Sequence, residues 1–361
     1  MKKINLNAPI NGTGYGITST NITLNLDLID NLEVSLFPIG NTIHLQEQHH
    51  QAILSNLIEN SRSFDYSAPC LKIWHQHDLA ARIGKGDYYV MPFFEIDKLP
   101  DYEIHQINSA DGVFTPSEWS KLVLETNGVR SPIYVCPLGV DENIFKPRTG
   151  LVPVKQNYTF IHVGKWEKRK SQDFLIKAFE TAFTEKDDVE LRLVPFNPFL
   201  NKEETEQWLQ YIKKSPLKDK IKVYNRLPSQ YDLANVISES DCGVYLSRAE
   251  GWNNEIPETM IMDKPVIVTN YSAHTEYCNS ENSYLVNIDE LEPAHDSKWF
   301  NGSGNWAKLG EKQLEQTVEY MRFVYNNRVQ TNPAGVDTGR KYSWSNTVSV
   351  INSTLTARGS Y

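Results

Sequence analysis

Cysteine is scarce in this sequence, and the few cysteines present form no recognisable pair. Four are spread over 361 residues without a C-x-x-C spacing. This excludes a disulfide-dense secreted scaffold and predicts reduced, mostly buried thiols of a cytosolic protein. The four are Cys70, Cys136, Cys242 and Cys278.

Long apolar runs are also missing. No stretch approaches the 18 or so apolar residues that a membrane-spanning helix requires. The opening MKKINLNAPINGTG has two lysines but no apolar run behind them, so it does not read as a signal peptide. We therefore expect a cytoplasmic protein with no membrane span.

Positive charge is in short supply as well. The net charge is −9, and a uniformly acidic surface would repel a phosphate backbone. Extensive wrapping by nucleic acid is disfavoured, whereas a local basic pocket is compatible with this composition. An apolar content of 40% and a charged content of 22% are typical of a globular chain.

What the sequence does contain is a strand–helix alternation that runs twice. Runs such as KINLNA and NLEVSLFPI alternate with helical patterns, and the series restarts at NYTFIHVG. This alternation predicts an α/β fold with parallel sheets covered by helices on both faces. The segment 139–156 breaks both periodicities with two prolines and two glycines, which indicates a hinge.

These patterns predict three regions. Residues 1–145 form a first Rossmann-like domain, residues 146–340 form a second, and residues 341–361 form a terminal helix. Two such units joined by a hinge usually bind a ligand at the carboxyl ends of their strands.

A glycine-rich loop follows the first strand. Gly12, Gly14 and Gly16 would let a ligand approach the backbone at a helix N-terminus, a geometry that suits an anion. The spacing is G-x-G-x-G rather than G-x-G-x-x-G, and Glu33 precedes the position where a ribose-binding acid would stand, so a nicotinamide site is not indicated. A plain tight turn is the competing interpretation.

A cluster of cations occupies the next strand–helix junction. In VGKWEKRKSQDF the strand ends at Gly164, and four cations stand before the helix that begins near Ser171. At the carboxyl end of a strand such a cluster suits a diphosphate; a solvated basic loop is the alternative. The cations are Lys165, Lys168, Arg169 and Lys170.

Two glutamates stand eight positions apart in AEGWNNEIPETMIM. Glu258 falls in the first turn of a predicted helix, where the helix dipole alone would favour an acid. Glu250 lies in the preceding loop, where no dipole favours it. Two carboxylates at the mouth of a cleft can each accept hydrogen bonds from vicinal hydroxyls of a sugar or a ribose.

At this point the motifs resemble those of a known family. EGWNNEIPE fits the E-x7-E motif of retaining GT-B glycosyltransferases, particularly those similar to glycosyltransferase family 4 (group 1). Four further stretches agree in order and spacing. They are GTGYG, IWHQHD (73–78), FTPSEWSKLVLETNGVRSPIYVCPLGVDENIFKP (114–147) and HVGKWEKRKSQDFLIKAF (162–179).

The resemblance implies a GT-B fold, in which two Rossmann-like domains face a central cleft and the last helix, led by Trp344, crosses back to the first domain. It also implies a donor substrate, a UDP- or GDP-sugar, with no cofactor and no metal. The absence of a D-x-D sequence agrees with a metal-free site.

Site roles follow from the same resemblance. Glu250, His77 and Lys170 would be the catalytic residues: Glu250 contacting sugar hydroxyls, His77 near the donor sugar, and Lys170 holding the diphosphate together with Lys165. Glu258 would bind the ribose. The remaining donor-binding residues would be Gly14, Gly16, Arg226, Leu227, Trp252, Asn253 and Asn254.

Two departures from the family pattern border the sugar pocket. Glu255 stands where an apolar residue or proline is common, and SAHTE (272–276) lacks the glycines of the usual G-G-x-x-E. An unusual donor sugar would fit these changes. Glu95, in FFEID, is either an acceptor-site residue or a helix cap.

Several functions stay open at this stage. The leading one is retaining transfer of a sugar to a hydroxyl of a glycan or small molecule. Alternatives are a phage-type transferase acting on a hydroxymethylated pyrimidine in DNA, a sugar-nucleotide epimerase, which the E-x7-E spacing disfavours, and a non-catalytic binding protein of the same fold. The acceptor is not identified.

Overall fold

The computed structural model describes residues 1–40, 50–147 and 156–361. Its strands are β1 (Lys2–Pro9), β2 (Leu32–Ile39), β3 (Cys70–Lys72), β4 (Tyr88–Val90), β5 (Gly112–Thr115), β6 (Ile133–Val135), β7 (Tyr158–Val163), β8 (Val189–Val194), β9 (Ile221–Val223), β10 (Cys242–Tyr245), β11 (Val266–Asn270), β12 (Tyr284–Asn287), β13 (Leu291–His295) and β14 (Asn301–Ala307). Its helices are α1 (Gly14–Asp27), α2 (Gln51–Asn60), α3 (Asp101–Ile107), α4 (Glu118–Thr126), α5 (Gln172–Ala182), α6 (Lys202–Lys214), α7 (Gln230–Ser238), α8 (Glu255–Ile261), α9 (Glu311–Asn326), α10 (Pro333–Lys341) and α11 (Trp344–Ala357).

The described chain divides into two compact units. Unit 1 comprises Met1–Gly139 and Tyr342–Tyr361, and unit 2 comprises Val140–Lys341. The division lies at Gly139, within the segment that the sequence marks as a hinge and a few residues before the predicted boundary.

Unit 1 contains a six-stranded sheet in the order β2-β1-β3-β4-β5-β6, with every pair parallel. Strand β5 is buried along its whole length, as expected for a sheet covered on both faces. Helix α11 packs on α1, and the Thr347 hydroxyl donates to the Pro137 carbonyl oxygen at 2.8 Å. The last helix thus completes this unit.

Unit 2 repeats the architecture with the order β12-β11-β10-β7-β8-β9, again parallel throughout. All six residues of β7 and all four of β10 are buried. Helix α5 buries an apolar face that joins the core of the unit. The residues of this face are Phe174, Leu175, Ala178, Phe179 and Ala182.

The turn-rich composition between α9 and α11 conceals a helix, α10. Pro333 begins it, and the first helical position tolerates proline because its missing N–H would have no intrahelical partner. Gly339 lies so close to α8 that an added Cβ would stand 2.6 Å from the Cβ of Ile261. Gly339 allows the two helices to pack closely. In the sequence alone, such a glycine looks the same as a glycine in a turn.

The sequence also gave no signal for β12 or for the β13–β14 hairpin. The hairpin is antiparallel and stands outside the six-stranded sheet. Its base is held to the loop after β10, since the backbone N–H of Ala307 donates to the Arg248 carbonyl oxygen at 2.8 Å and the Arg248 side chain pairs with Glu292.

Two compositional expectations can be compared with the structure. All four cysteines are buried and unpaired, which confirms the expected thiols. In the described ranges no helix is long and apolar enough to cross a membrane.

Candidate functional site

The carboxyl ends of β7 and β10 bring the two polar stretches of unit 2 together. These strands are direct neighbours, with Cys242 opposite Phe160 and Gly243 opposite Ile161. The cationic segment after β7 therefore meets the loop after β10. The backbone N–H of Arg248 donates to the Arg169 carbonyl oxygen at 2.7 Å and fixes this junction.

Glu250 lies at the centre of a buried charge network. Only 5% of the residue is exposed. Its Oε2 stands 2.7 Å from Arg169 Nη1, and its Oε1 stands 2.8 Å from Lys170 Nζ. Both oxygens of a catalytic candidate thus contact cations of the other loop.

Arg169 extends the network to a second acid. Its Nε lies 3.0 Å from Glu167 Oε1, and its Nη1 also donates to the Ala249 carbonyl oxygen at 2.9 Å. Lys170 Nζ is 3.9 Å from Glu255, the acid that departs from the family pattern. Two cations are therefore held between three carboxylates.

This arrangement keeps the central pair ionised. Burial alone would raise the pKa of Glu250, but Arg169 and Lys170 outweigh it and hold the pKa far below its usual range. Burial alone would lower the pKa of Lys170, yet Glu250 and Glu255 raise it above its ordinary value. The network therefore supplies a permanently charged ammonium group at the carboxyl end of β7.

Glu258 has the opposite environment. It lies in the first turn of α8 with 7% exposure, and its carboxylate has no hydrogen bond or ion pair with any residue that the structure describes. Burial, followed by the charges of Glu255 and Asp141, raises the pKa of Glu258 well above its usual value. An unpaired buried carboxyl group is costly and is typical of a binding site.

Lys165 and Lys168 flank the same strand end but differ in environment. Lys165 is half-buried and its Nζ lies 5.3 Å from the ring centroid of Phe199, whereas Lys168 is exposed. Across the described ranges neither lysine forms an ion pair with an acid. Lys165 can therefore approach an anion without first leaving a carboxylate.

The other donor-side predictions lie at the same end of unit 2. Arg226 is exposed with its guanidinium 5.6 Å from the ring centroid of Phe196, and Leu227 is half-buried. Trp252 is buried, and its ring meets Tyr277 edge-on at 4.9 Å. The indole ring of Trp252 therefore packs within unit 2.

In unit 1 the glycine loop begins α1. Thr13 caps the helix by accepting from the backbone N–H of Gly16 at 3.5 Å. A Cβ at Gly16 would stand 2.2 Å from the Asn11 carbonyl oxygen, whereas a Cβ at Gly14 would meet nothing within 4 Å. Packing therefore requires glycine at position 16, whereas the space around Gly14 is open.

This contrast predicts unequal effects of the same substitution. Gly16→Ala should lower the free energy of unfolding by about 1–3 kcal/mol, because the new methyl group overlaps the backbone of Asn11. Gly14→Ala should change it by less than about 0.5 kcal/mol. Thermal unfolding of both variants measures the two changes in stability. Equal losses of stability would contradict the view that only Gly16 is required by packing.

His77 follows β3 and is exposed. Its ring stacks on His75 with centroids 5.3 Å apart, and its carbonyl oxygen accepts from the Gln106 side chain at 2.8 Å. Glu95 is half-buried in the loop after β4. Both lie beyond the carboxyl ends of strands of unit 1.

Sequence reasoning missed the role of Arg169, which it grouped with the other cations. The residue is 4% exposed, and nothing in the KRK sequence distinguishes a buried arginine from a solvated one. The 3-10 turn of Ser272–Glu276 was missed likewise: the Ser272 hydroxyl accepts from the Glu250 N–H at 2.9 Å. Within the described ranges no group of three or more His, Cys, Asp or Glu side chains could hold a metal ion.

Comparison with known proteins finds a family match within unit 2. Residues 157–295 match the family described as glycosyl transferases group 1. Among curated proteins no sequence matches the chain.

Several solved structures share the fold over nearly the whole chain. Sucrose-phosphate synthase from Thermosynechococcus elongatus superposes with a TM-score of 0.72 at 13% identity, covering 99% of each chain. HepE from Anabaena, in complex with UDP-glucose, gives 0.70 at 17% identity over 99% of this chain and 100% of that chain. A glycosyltransferase from Rickettsia africae gives 0.69 at 15% identity over 98% and 97%. The fold is GT-B, with two Rossmann-like domains.

Proposed function

We propose that this GT-B chain, whose residues 157–295 form a group 1 glycosyltransferase domain, transfers a sugar from a nucleoside-diphosphate donor to an acceptor hydroxyl with retention and without a metal ion. The observation that carries the proposal is the contrast between two buried carboxyl groups of one loop–helix segment. Glu250 is neutralised by Arg169 and Lys170, whereas Glu258 faces no cation in the described chain.

A nucleotide sugar carries hydroxyl groups that can bind Glu258 and a diphosphate that can bind the lysines. Its vicinal ribose hydroxyls would donate to the Glu258 carboxyl group and satisfy a polar group that is otherwise buried alone. Its diphosphate would meet the cations Lys165 and Lys170 beyond the carboxyl end of β7. These contacts use the open hydrogen-bonding capacity of unit 2 without displacing its core.

The proposed chemistry follows from the charges. The bond between the anomeric carbon and the β-phosphate oxygen breaks, and negative charge grows on the departing diphosphate. Lys165 and Lys170 stabilise that charge, a role that preorganised cations can fill without a metal. The acceptor oxygen bonds to the anomeric carbon on the same face, and its proton passes to the departing phosphate oxygen.

Glu250 is the carboxylate that holds Lys170 in place for this step. Since its oxygens already contact two cations, it can accept a sugar hydroxyl hydrogen bond through remaining lone pairs while keeping the lysine oriented. No covalent glycosyl–enzyme intermediate is required.

The nucleotide is tested by thermal unfolding with UDP, GDP, ADP and CMP. UDP comes first because HepE, which shares the fold, was solved with UDP and with UDP-glucose. A ligand at about 100 times its dissociation constant adds roughly 2.7 kcal/mol of stability. One nucleotide should raise the melting temperature of the parent protein by several degrees.

Two lysines of the same loop provide a matched pair of variants. Lys165→Met should bind the selected nucleotide about 10- to 100-fold more weakly, because it loses a charge-assisted contact to phosphate. Lys168→Met, which removes an exposed charge three residues away, should bind it within about twofold of the parent. Equal loss in both variants would indicate a diffuse electrostatic effect and contradict the proposed site.

Retention is tested by the anomer first formed. Proton NMR of the transfer product, or of the sugar released by slow hydrolysis, should show the anomeric configuration of the donor, and EDTA should leave the rate unchanged. An inverted product would refute the mechanism while leaving the donor site intact. The acceptor panel should include oligosaccharides, small alcohols and hydroxymethylated DNA, and nucleotide-sugar binding without turnover on any of them would favour a binding protein.

A further inference from the structure

The E-x7-E loop contains a second buried polar group, the side-chain amide of Asn253. Asn253 is 7% exposed, and its side-chain oxygen Oδ1 has no hydrogen-bond partner among the described residues. A buried amide oxygen without a partner costs about 1–3 kcal/mol. Such a group is typical of a position where a ligand hydroxyl group or an ordered water molecule donates a hydrogen bond.

The orientation of this amide is fixed by its neighbours. The Thr269 hydroxyl donates to the Ser247 carbonyl oxygen at 2.6 Å, so it can only accept from His274. His274 Nδ1 lies 3.2 Å from that hydroxyl oxygen and 3.0 Å from the Thr269 carbonyl oxygen. Both are acceptors there, so Nδ1 carries the proton of this imidazole.

The other ring nitrogen of His274 is consequently an acceptor. His274 is fully buried, and burial lowers its pKa to about 4, so the ring is neutral at pH 7. Its Nε2 lies 3.1 Å from Asn253 Nδ2 and accepts a hydrogen bond from that amide. The nitrogen of Asn253 is committed to His274, which leaves Oδ1 as a preoriented acceptor.

This acceptor lies within the sugar-side loop. The turn that bears His274 is bonded to Glu250, since the Ala273 N–H donates to the Glu250 carbonyl oxygen at 3.2 Å. Asn253 stands between Glu250 and Glu258 in the chain, and the next residue, Asn254, also has a buried Oδ1 without a partner in the described chain. The loop therefore presents two buried amide oxygens, to which a ligand hydroxyl group can donate.

We propose that Asn253 is a specificity-determining residue whose Oδ1 accepts a hydrogen bond from one hydroxyl group of the transferred sugar. The proposal rests on the proposed function, because it places the donor sugar at this loop. A sugar that lacks the recognised hydroxyl leaves Oδ1 buried and unpaired and is disfavoured.

The backbone offers a variant that removes the amide and preserves the fold. Asn253 has φ of +82°, a left-handed conformation that glycine adopts without a Cβ penalty. Asn253→Gly should therefore fold with a melting temperature within a few degrees of the parent. Asn31→Gly is the matched control, since Asn31 has φ of +61° and is exposed in unit 1.

The test measures kcat/KM for hydrolysis or transfer with UDP-glucose and its 2-, 3-, 4- and 6-deoxy analogues; GDP-mannose analogues replace them if the nucleotide screen selects GDP. The parent and Asn31→Gly should disfavour one analogue about 10- to 100-fold. Asn253→Gly should use the disfavoured analogue and the full sugar with similar kcat/KM, and its preference among the other analogues should be unchanged. The substitution removes the acceptor of the recognised hydroxyl group, so kcat/KM with the full sugar falls to the level of the analogue.

UDP binding separates the two proposals. If UDP binds the parent and Asn253→Gly equally and discrimination disappears as described, the inference holds. If UDP binds equally and the variant keeps the parent's discrimination against every analogue, the inference is overturned while the proposed function stands. If no nucleotide binds the parent, the proposed function fails first, and the inference falls with it.

Discussion

Replacing Glu250 with alanine is expected to lower the free energy of unfolding by about 3–5 kcal/mol and to reduce transfer by at least about 100-fold. The substitution leaves Arg169 and Lys170 buried without their shared counter-charge. In the proposed mechanism it also removes the group that orients Lys170 toward the diphosphate. In a unit of this size the melting temperature should fall by roughly 10 °C.

A double-mutant cycle separates this coupling from general damage. Lys170→Met removes the cation that Oε1 contacts, and the double variant Glu250→Ala/Lys170→Met should be more stable than the sum of the single losses predicts. Glu281→Ala, at an exposed position of the same unit, should be within about 0.5 kcal/mol of the parent. Additive losses at Glu250 and Lys170 would show that the ion pair does not exist in solution.

The contribution of Glu250 to the stability of the folded protein also depends on pH. The pKa of Glu250 is lower in the folded protein than in the unfolded chain, where a glutamate titrates near 4.3. Its stabilising effect is therefore complete above that unfolded value and is lost as the pH falls through the folded pKa. The stability difference between the parent and Glu250→Ala should narrow below about pH 4.

Glu258→Gln is expected to have the opposite effect on stability. The folded protein binds a proton at Glu258 more tightly than the unfolded chain does, because burial raises the pKa of this carboxyl group. Above the unfolded pKa, ionisation therefore opposes folding, and the neutral amide removes that cost. We expect a gain on the order of 2 kcal/mol at pH 8, or about 5 °C in melting temperature.

The pH dependence of the stability gain in Glu258→Gln tests whether the charge of Glu258 causes it. The advantage of Glu258→Gln should shrink as the pH falls below the folded pKa of Glu258 and vanish near pH 4, where the parent carboxyl group is protonated in both states. Unfolding curves from pH 4 to pH 8 measure this. A constant advantage over that range would show that packing, rather than charge, explains the gain.

The same variant should bind its nucleotide poorly. A carboxylate accepts two ribose hydroxyls through charge-assisted bonds, and an amide cannot reproduce both, so affinity should fall about 10- to 100-fold. Glu319→Gln, at an exposed position of α9, is the matched control for both measurements. A more stable protein that no longer responds to nucleotide would show that Glu258 is retained for binding at the expense of stability.

Part of this site and most of the fold follow from local sequence patterns. The E-x7-E spacing placed Glu250 in a loop and Glu258 at a helix start, and the structure places both there. The order of the main strands and helices followed from two periodicities that depend only on local side-chain direction. Helix α10 was missed because its glycine and proline serve packing and helix initiation rather than a turn.

The sequence by itself determined the α/β alternation, the two glutamates and the cationic segment, because each depends on residues close together in the chain. Only the tertiary structure decided which charges meet. Arg169 and Glu250 are 81 positions apart, and they touch because β10 pairs with β7 while β8 and β9 lie on the other side of β7. The burial that this pairing imposes then gives the two glutamates opposite electrostatic states, and leaves Asn253 with an unpaired oxygen.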